Sequence, residues 1–175
     1  MVINWIGSPF FGYPNGVHGR KGYQPLAIVM HIAEGTLAGC DGWFNSKVNA
    51  RTNGGSSSSY AVGREGQIHQ YVMEADAAWA NGPVHNPSWK LLISNANPNL
   101  YTISIEHEGH TGDPWTDEML NADVWLIGQI AHRWQIPLDR DHIIGHYEID
   151  SVNRPRCPGT GLPWDTLLKR LKETM

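Results

Sequence analysis

The chain lacks the marks of several large protein classes. Two cysteines in 175 residues, Cys40 and Cys157, are too few for a disulfide framework. Positive charge is not in excess: 13 Lys and Arg face 17 Asp and Glu, a formal net charge of −4. Chains that grip nucleic acid usually show a basic excess or a basic stripe, so a nucleic-acid partner is disfavoured. The densest basic segment, Lys169-Arg170-Leu171-Lys172, reads as the polar face of a terminal helix. No apolar run approaches the ~18 residues of a membrane span. Met1 to Phe10 has neither the basic region nor the apolar stretch of a secretory signal, so synthesis in the cytoplasm is expected. No internal repeat and no composition break marks a second domain. One domain over residues 1–175 is expected, with no separate binding domain, and a monomer is assumed.

What is present is a globular composition, 41% hydrophobic and 17% charged, with eight Trp, six Tyr and nine His. Residues 1–25 are dense in Gly and Pro and read as an extended lead-in loop. Trp5, Phe10, Phe11 and Tyr13 are expected to tack it onto the body. Leu26 to Ile32 is a short continuous apolar run, as in a strand buried on both faces. Gly39 to Lys47 reads as a helix packing Trp43 and Phe44, and Asn53 to Ser59 as a polar loop. Ser59–Gly63 and Gln67–Val72 flank a hairpin turn at Arg64-Glu65-Gly66. A loop rich in Asn and Pro follows from Trp79 to Pro98, and then a strand at Tyr101–Glu106, whose β-branched residues suit a pleated surface. Thr116 is the expected cap of a long helix with Leu120, Val124, Ile127, Ala131 and Trp134 on its core face, ended by Pro137. His142 to His146 reads as a short strand, and Leu167, Leu168 and Leu171 lie on a last helix. Strands alternating with helices predict a single-domain α/β fold with a central sheet.

Three side chains stand where a metal could gather them: His31 and His146 at strand ends, and Cys157 in Arg156-Cys157-Pro158-Gly159. Two imidazoles and a thiolate suit Zn²⁺, and three protein ligands leave a fourth position for water, as in a catalytic site. Taken singly, each has a plainer explanation: a strand-end His is more often hydrogen-bonded, and a lone Cys more often a small buried hydrophobe.

These residues belong to an ordered series. His31 closes an apolar strand; Ser-rich sequence leads into Tyr60-Ala61-Val62-Gly63-Arg64-Glu65-Gly66-Gln67-Ile68. Ala78-Trp79-Ala80-Asn81-Gly82, Thr102-Ile103-Ser104-Ile105-Glu106, Gly145-His146-Tyr147-Glu148-Ile149 and Cys157-Pro158-Gly159 follow. From about Leu26 onward the chain resembles the zinc-dependent N-acetylmuramoyl-L-alanine amidases of type 2, a family that includes phage endolysins and is related to peptidoglycan-recognition proteins. The resemblance implies a mixed sheet flanked by helices with zinc in an open groove. It implies one Zn²⁺ per chain on His31, His146 and Cys157, and Glu106 as the acidic catalytic residue. The implied reaction is hydrolysis of the amide joining the lactyl group of N-acetylmuramic acid to L-alanine in bacterial peptidoglycan. The implied role is that of a phage or prophage endolysin, acting on the wall after release.

The chain departs from the family pattern at Ala80, where many relatives have His, and at Ser58-Ser59, where many have His or an aromatic pair. Pro155 stands where many have Lys. A cation beside a developing oxyanion would stabilise the transition state, and Arg154 is the candidate, with Arg156 the alternative. Glu34, Thr36, Trp79 and Asn81 follow strands and are candidates to line the groove; packing and turn chemistry are the alternative. Strand alternation separates His107 from Glu106 and Glu108, so His107 and His110 are expected at the surface. The rivals from other classes are a non-catalytic peptidoglycan-recognition module of the same fold, and a protein that regulates a partner.

Overall fold

The computed structural model describes residues 1–174. Its elements are β1 (Ile3–Trp5), β2 (Ala27–Ile32), α1 (Leu37–Trp43), α2 (Lys47–Asn53), β3 (Tyr60–Val62), β4 (Ile68–Gln70), β5 (Thr102–His107), α3 (Asp117–Trp134), β6 (Ile143–Gly145) and α4 (Trp164–Thr174). The strands form one mixed sheet in the order β1-β4-β3-β5-β2-β6. Every neighbouring pair is parallel except the β3–β4 hairpin.

The apolar run of β2 follows from burial on both sheet faces. Ile28 and Met30 join Ile103, Ile105 and Ile143 beneath α3 and α4. Ala27 and Val29 face the other way, with Ile144, Tyr101 and Trp89. By the same alternation His31 and Glu106, paired in register at the carboxyl ends of β2 and β5, share the face away from α3. Helix α3 forms as its sequence reads: the Thr116 hydroxyl accepts from the Met119 N–H, Asp117 and Glu118 sit in the first turn, and Leu120, Val124, Ile127 and Ala131 are buried. It closes at Gln135 in the left-handed region, before Pro137 is reached.

Four readings are corrected. The lead-in segment contains β1, a three-residue edge strand paired with β4, too short to show periodicity amid glycines. Trp5 is 57% exposed and does not tack the segment down; Phe10 and the buried Arg20 do. Arg20 donates to the carbonyls of Glu74, Asn99, Leu100 and Thr102. The helix expected at 39–47 is two short helices, each capped by a hydroxyl, Thr36 for α1 and Ser46 for α2; Phe44 is buried but Trp43 is 40% exposed. The strand expected at 142–146 spans only Ile143–Gly145, because His146 opens a 3₁₀ turn through Glu148.

Candidate metal centre and groove

The carboxyl ends of parallel strands are where open α/β sheets present ligands, and here they bring the chemistry together. One potential ligand atom from each of His31, His146 and Cys157 lies within 4.8 Å of the others. His31 ends β2, His146 follows β6 directly, and Cys157 arrives on the loop beyond, its Sγ accepting the Ile32 N–H at 3.4 Å. Gly145 makes this approach possible: a Cβ there would meet the Tyr147 ring at 2.4 Å and Pro158 Cδ at 2.9 Å.

The donors are in the right state to bind. His146 Nε2 lies 2.7 Å from the Asn81 carbonyl. A carbonyl only accepts, so Nε2 carries the proton and Nδ1 keeps its lone pair. His31 Nε2 is buried without any hydrogen-bond partner. Burial, with His146 alongside, holds the His31 imidazole well below its ordinary value, and burial brings His146 to about 4. Both rings are therefore neutral and able to coordinate. Burial pushes the Cys157 thiol up to about 12, so its thiolate needs a cation beside it. An orphaned imidazole nitrogen with a second neutral imidazole and a sulfur is a donor set that fits zinc.

Glu106 stands beside this cluster, half-buried, with Oε2 inaccessible and unpaired. Burial pushes its carboxyl up to about 7, although His107 and Arg154 pull the other way. The charge of Arg154 bears on His31, Glu106, His146 and Cys157. Arg154 and Arg156 are both exposed and line the same groove of about 1370 Å³.

The other groove candidates fare differently. Glu34, Thr36 and Trp79 line it. The Thr36 hydroxyl caps α1, accepting from Gly39 N–H at 3.0 Å. Glu34 accepts from Thr111. The Trp79 indole N–H is bonded to the Gly12 carbonyl at 2.8 Å, so the ring offers the groove a face and no donor. Asn81 is not a groove residue. It is buried behind His146, its carbonyl on that imidazole and its amide donating to the Thr102 hydroxyl. A local reading of a post-strand loop cannot show which way such a side chain turns. Trp43, expected in the core, lines the groove instead, its indole N–H bonded to Ser56 Oγ at 3.0 Å.

His107 is also corrected, since it is fully buried. Alternation placed it on the opposite face from Glu106 correctly, but that face is covered by α3 and not by water. His110 is exposed, as read. Among the described residues, no other group of three His, Cys, Asp or Glu could hold a metal. His142 instead pairs with Asp139 at 2.7 Å. No described helix is long and apolar enough to cross a membrane.

Comparison with known proteins gives the family and agrees with the fold. A family described as N-acetylmuramoyl-L-alanine amidase matches residues 21–160. N-acetylmuramoyl-L-alanine amidase A of Achromobacter lyticus is 30% identical over 160 residues, covering 81% of this chain and 80% of that protein. Among solved structures, a selenomethionyl AmpD derivative superposes with a TM-score of 0.75 at 21% identity, covering 98% of this chain and 93% of that one. The endolysin amidase LysCS of Clostridium intestinale superposes with a TM-score of 0.66 at 15% identity, over 98% of this chain and 95% of that one.

Proposed function

The chain belongs to the N-acetylmuramoyl-L-alanine amidase family and is a peptidoglycan amidase, and from that membership we propose that it works through one zinc held by His31, His146 and Cys157. The convergence of these three donors within 4.8 Å carries the reading. Zinc bound there supplies a Lewis acid to the scissile carbonyl and acidifies water to a pKa of about 7.

The protein's own groups do the rest. Glu106, whose Oε2 has no hydrogen-bond partner of its own, takes the proton of the attacking water and returns it to the leaving nitrogen. Arg154 sets its charge against the carbonyl oxygen as negative charge grows there, taking the part of the usual lysine. Glu34, Trp79 and Trp43 line the walls along which the glycan and stem peptide lie. The open, exposed rim at Glu34, Thr36, Trp43 and Arg154 suits a polymeric substrate, which supports an endolysin acting on intact wall.

The test is incubation with purified peptidoglycan, with separate assays of new amino groups and new reducing ends. New amines on L-alanine without reducing ends are expected. Reducing ends would mean a glycosidase, and neither product a recognition module. Faster release from intact sacculi than from soluble muropeptides is expected of the endolysin role.

A further inference from the structure

We propose that Asp123 and His107 form a buried positioning pair that holds the end of β2 and thereby sets the affinity of the His31 ligand for its metal; this rests on the zinc reading above. Asp123 is the anomaly of α3. Its neighbours on the buried face are Leu120, Val124 and Ile127, yet the carboxyl is completely buried among them. A buried carboxyl is costly unless paired, and this one meets His107 Nε2 at 3.0 Å with neither side chain exposed. Its second oxygen has no partner.

The other ring nitrogen of His107 reaches the main chain of a candidate ligand. Nδ1 lies 2.7 Å from the carbonyl oxygen of His31. That oxygen only accepts, so Nδ1 must donate, and Asp123 and Nε2 share a single proton between them. The ring is further fixed by Trp115, with centroids 4.2 Å apart. The main chain of the same residue holds the strand too: the His107 carbonyl accepts from Ala33 N–H at 2.9 Å.

This grip falls where β2 has lost its other neighbour. Pairing with β6 ends at Met30 opposite Gly145. Beyond it, His31 and Ile32 are held by β5 on one side and by the Cys157 sulfur on the other. Sulfur is itself a ligand, so the holds that do not depend on the metal are the β5 ladder and the His107 ring. Partners bonded directly to a ligating ring are worth about 10–100-fold in metal affinity; His107 holds the main chain of His31 and not its ring, so an effect at the lower end, about 10-fold, is expected.

The experiment compares the parent, Asp123→Asn and the double variant His107→Met/Asp123→Leu. Zinc affinity is read by competition with a chromophoric chelator, ligand geometry by the visible spectrum of the cobalt(II) protein, and folding by melting of the metal-free form. Asn can donate to Nε2 and keep Nδ1 as donor, so its zinc affinity is expected within a few-fold of the parent. The double variant replaces the pair with apolar volume, and such replacements are often neutral for folding. It is expected to stay folded, melting somewhat below the parent because the His31 carbonyl loses its donor, and to bind zinc about 10-fold more weakly, with an altered cobalt spectrum. Parent-like affinity and spectrum in the double variant would overturn the positioning role. Failure of the parent to bind either metal would overturn the zinc reading itself.

Discussion

Glu74 and Glu106 are both glutamates withdrawn from solvent, and the protein treats them in opposite ways. Glu74 accepts from Tyr60 Oη and Trp134 Nε1, each at 2.6 Å, and from the Arg133 guanidinium. Burial alone would raise its carboxyl, but the bonds from Arg133, Tyr60 and Trp134 outweigh it and leave the group below the usual carboxylate value. Glu106 has one oxygen with no partner, and burial prevails at about 7. A carboxylate with every lone pair engaged joins β3, the loop after β4 and the end of α3. One left short of partners beside two neutral imidazoles and a thiol is ready to handle a proton. Within one fold, completeness of hydrogen bonding separates the acid that ties elements together from the one proposed to react.

The largest expected effect tests whether the orphaned side of this comparison is a metal site. Chelation should abolish hydrolysis, and added zinc should restore it. Cys157→Ala should lose zinc and activity, while Cys40→Ala, altering a thiol buried beside Phe44 and Tyr71, should keep both. Equal zinc content in the two variants would remove Cys157 from the ligand set.

Matched substitutions then set the two acids against each other. Glu106→Gln should lower turnover by ~10²–10⁴-fold, the share of general acid–base catalysis. It should keep zinc, wall binding and a melting temperature at or above the parent's. If Glu106→Gln turns over normally, the proton acceptor lies elsewhere. Arg154→Ala comes next, with turnover reduced by about 10²-fold. Arg156→Ala should remain within a few-fold, and a reversal of the two would hand the cationic role to Arg156.

Glu74→Gln is expected to have the smallest effect on turnover and its main effect on stability. Parent-like turnover per folded molecule should accompany a loss of about 1–3 kcal/mol, toward the lower end because Arg133 is partly exposed and screened. The pH dependence follows from the sign of the shift. The folded carboxyl lies below its unfolded value, so its contribution is complete above the ordinary Glu pKa of about 4.3. That contribution is lost as pH falls through the folded value. Chemical denaturation at neutral and acidic pH should therefore show the two stability curves converging in acid. A gap that persists unchanged would mean that the carboxylate's charge is not what Glu74 contributes.

The central strands and the long helix were legible because their cause is local. Leu26–Ile32 is apolar because parallel strands are covered on both faces, and the Thr116 cap with its apolar repeat is written within one stretch of chain. The three donors were legible as residue types at strand ends and in a short Cys-Pro-Gly turn. β1 and α2 were not: each is short, one lies among glycines, and neither carries a periodic apolar face.

Partners were decided by the tertiary structure alone. His107 lies opposite Glu106 by strand alternation, but only α3, crossing that face with Asp123, makes it a buried link to His31. The Asn81 side chain turns inward to donate to the Thr102 hydroxyl, 21 residues away, while its main-chain carbonyl backs the His146 ring. Glu74 and Glu106 are the same residue type, and no local pattern tells them apart. Their acidities diverge because Tyr60, Arg133 and Trp134 converge on one, and burial without enough partners isolates the other. Secondary structure can be read from neighbours in sequence, whereas desolvation and hydrogen-bond supply depend on groups that only folding brings into contact.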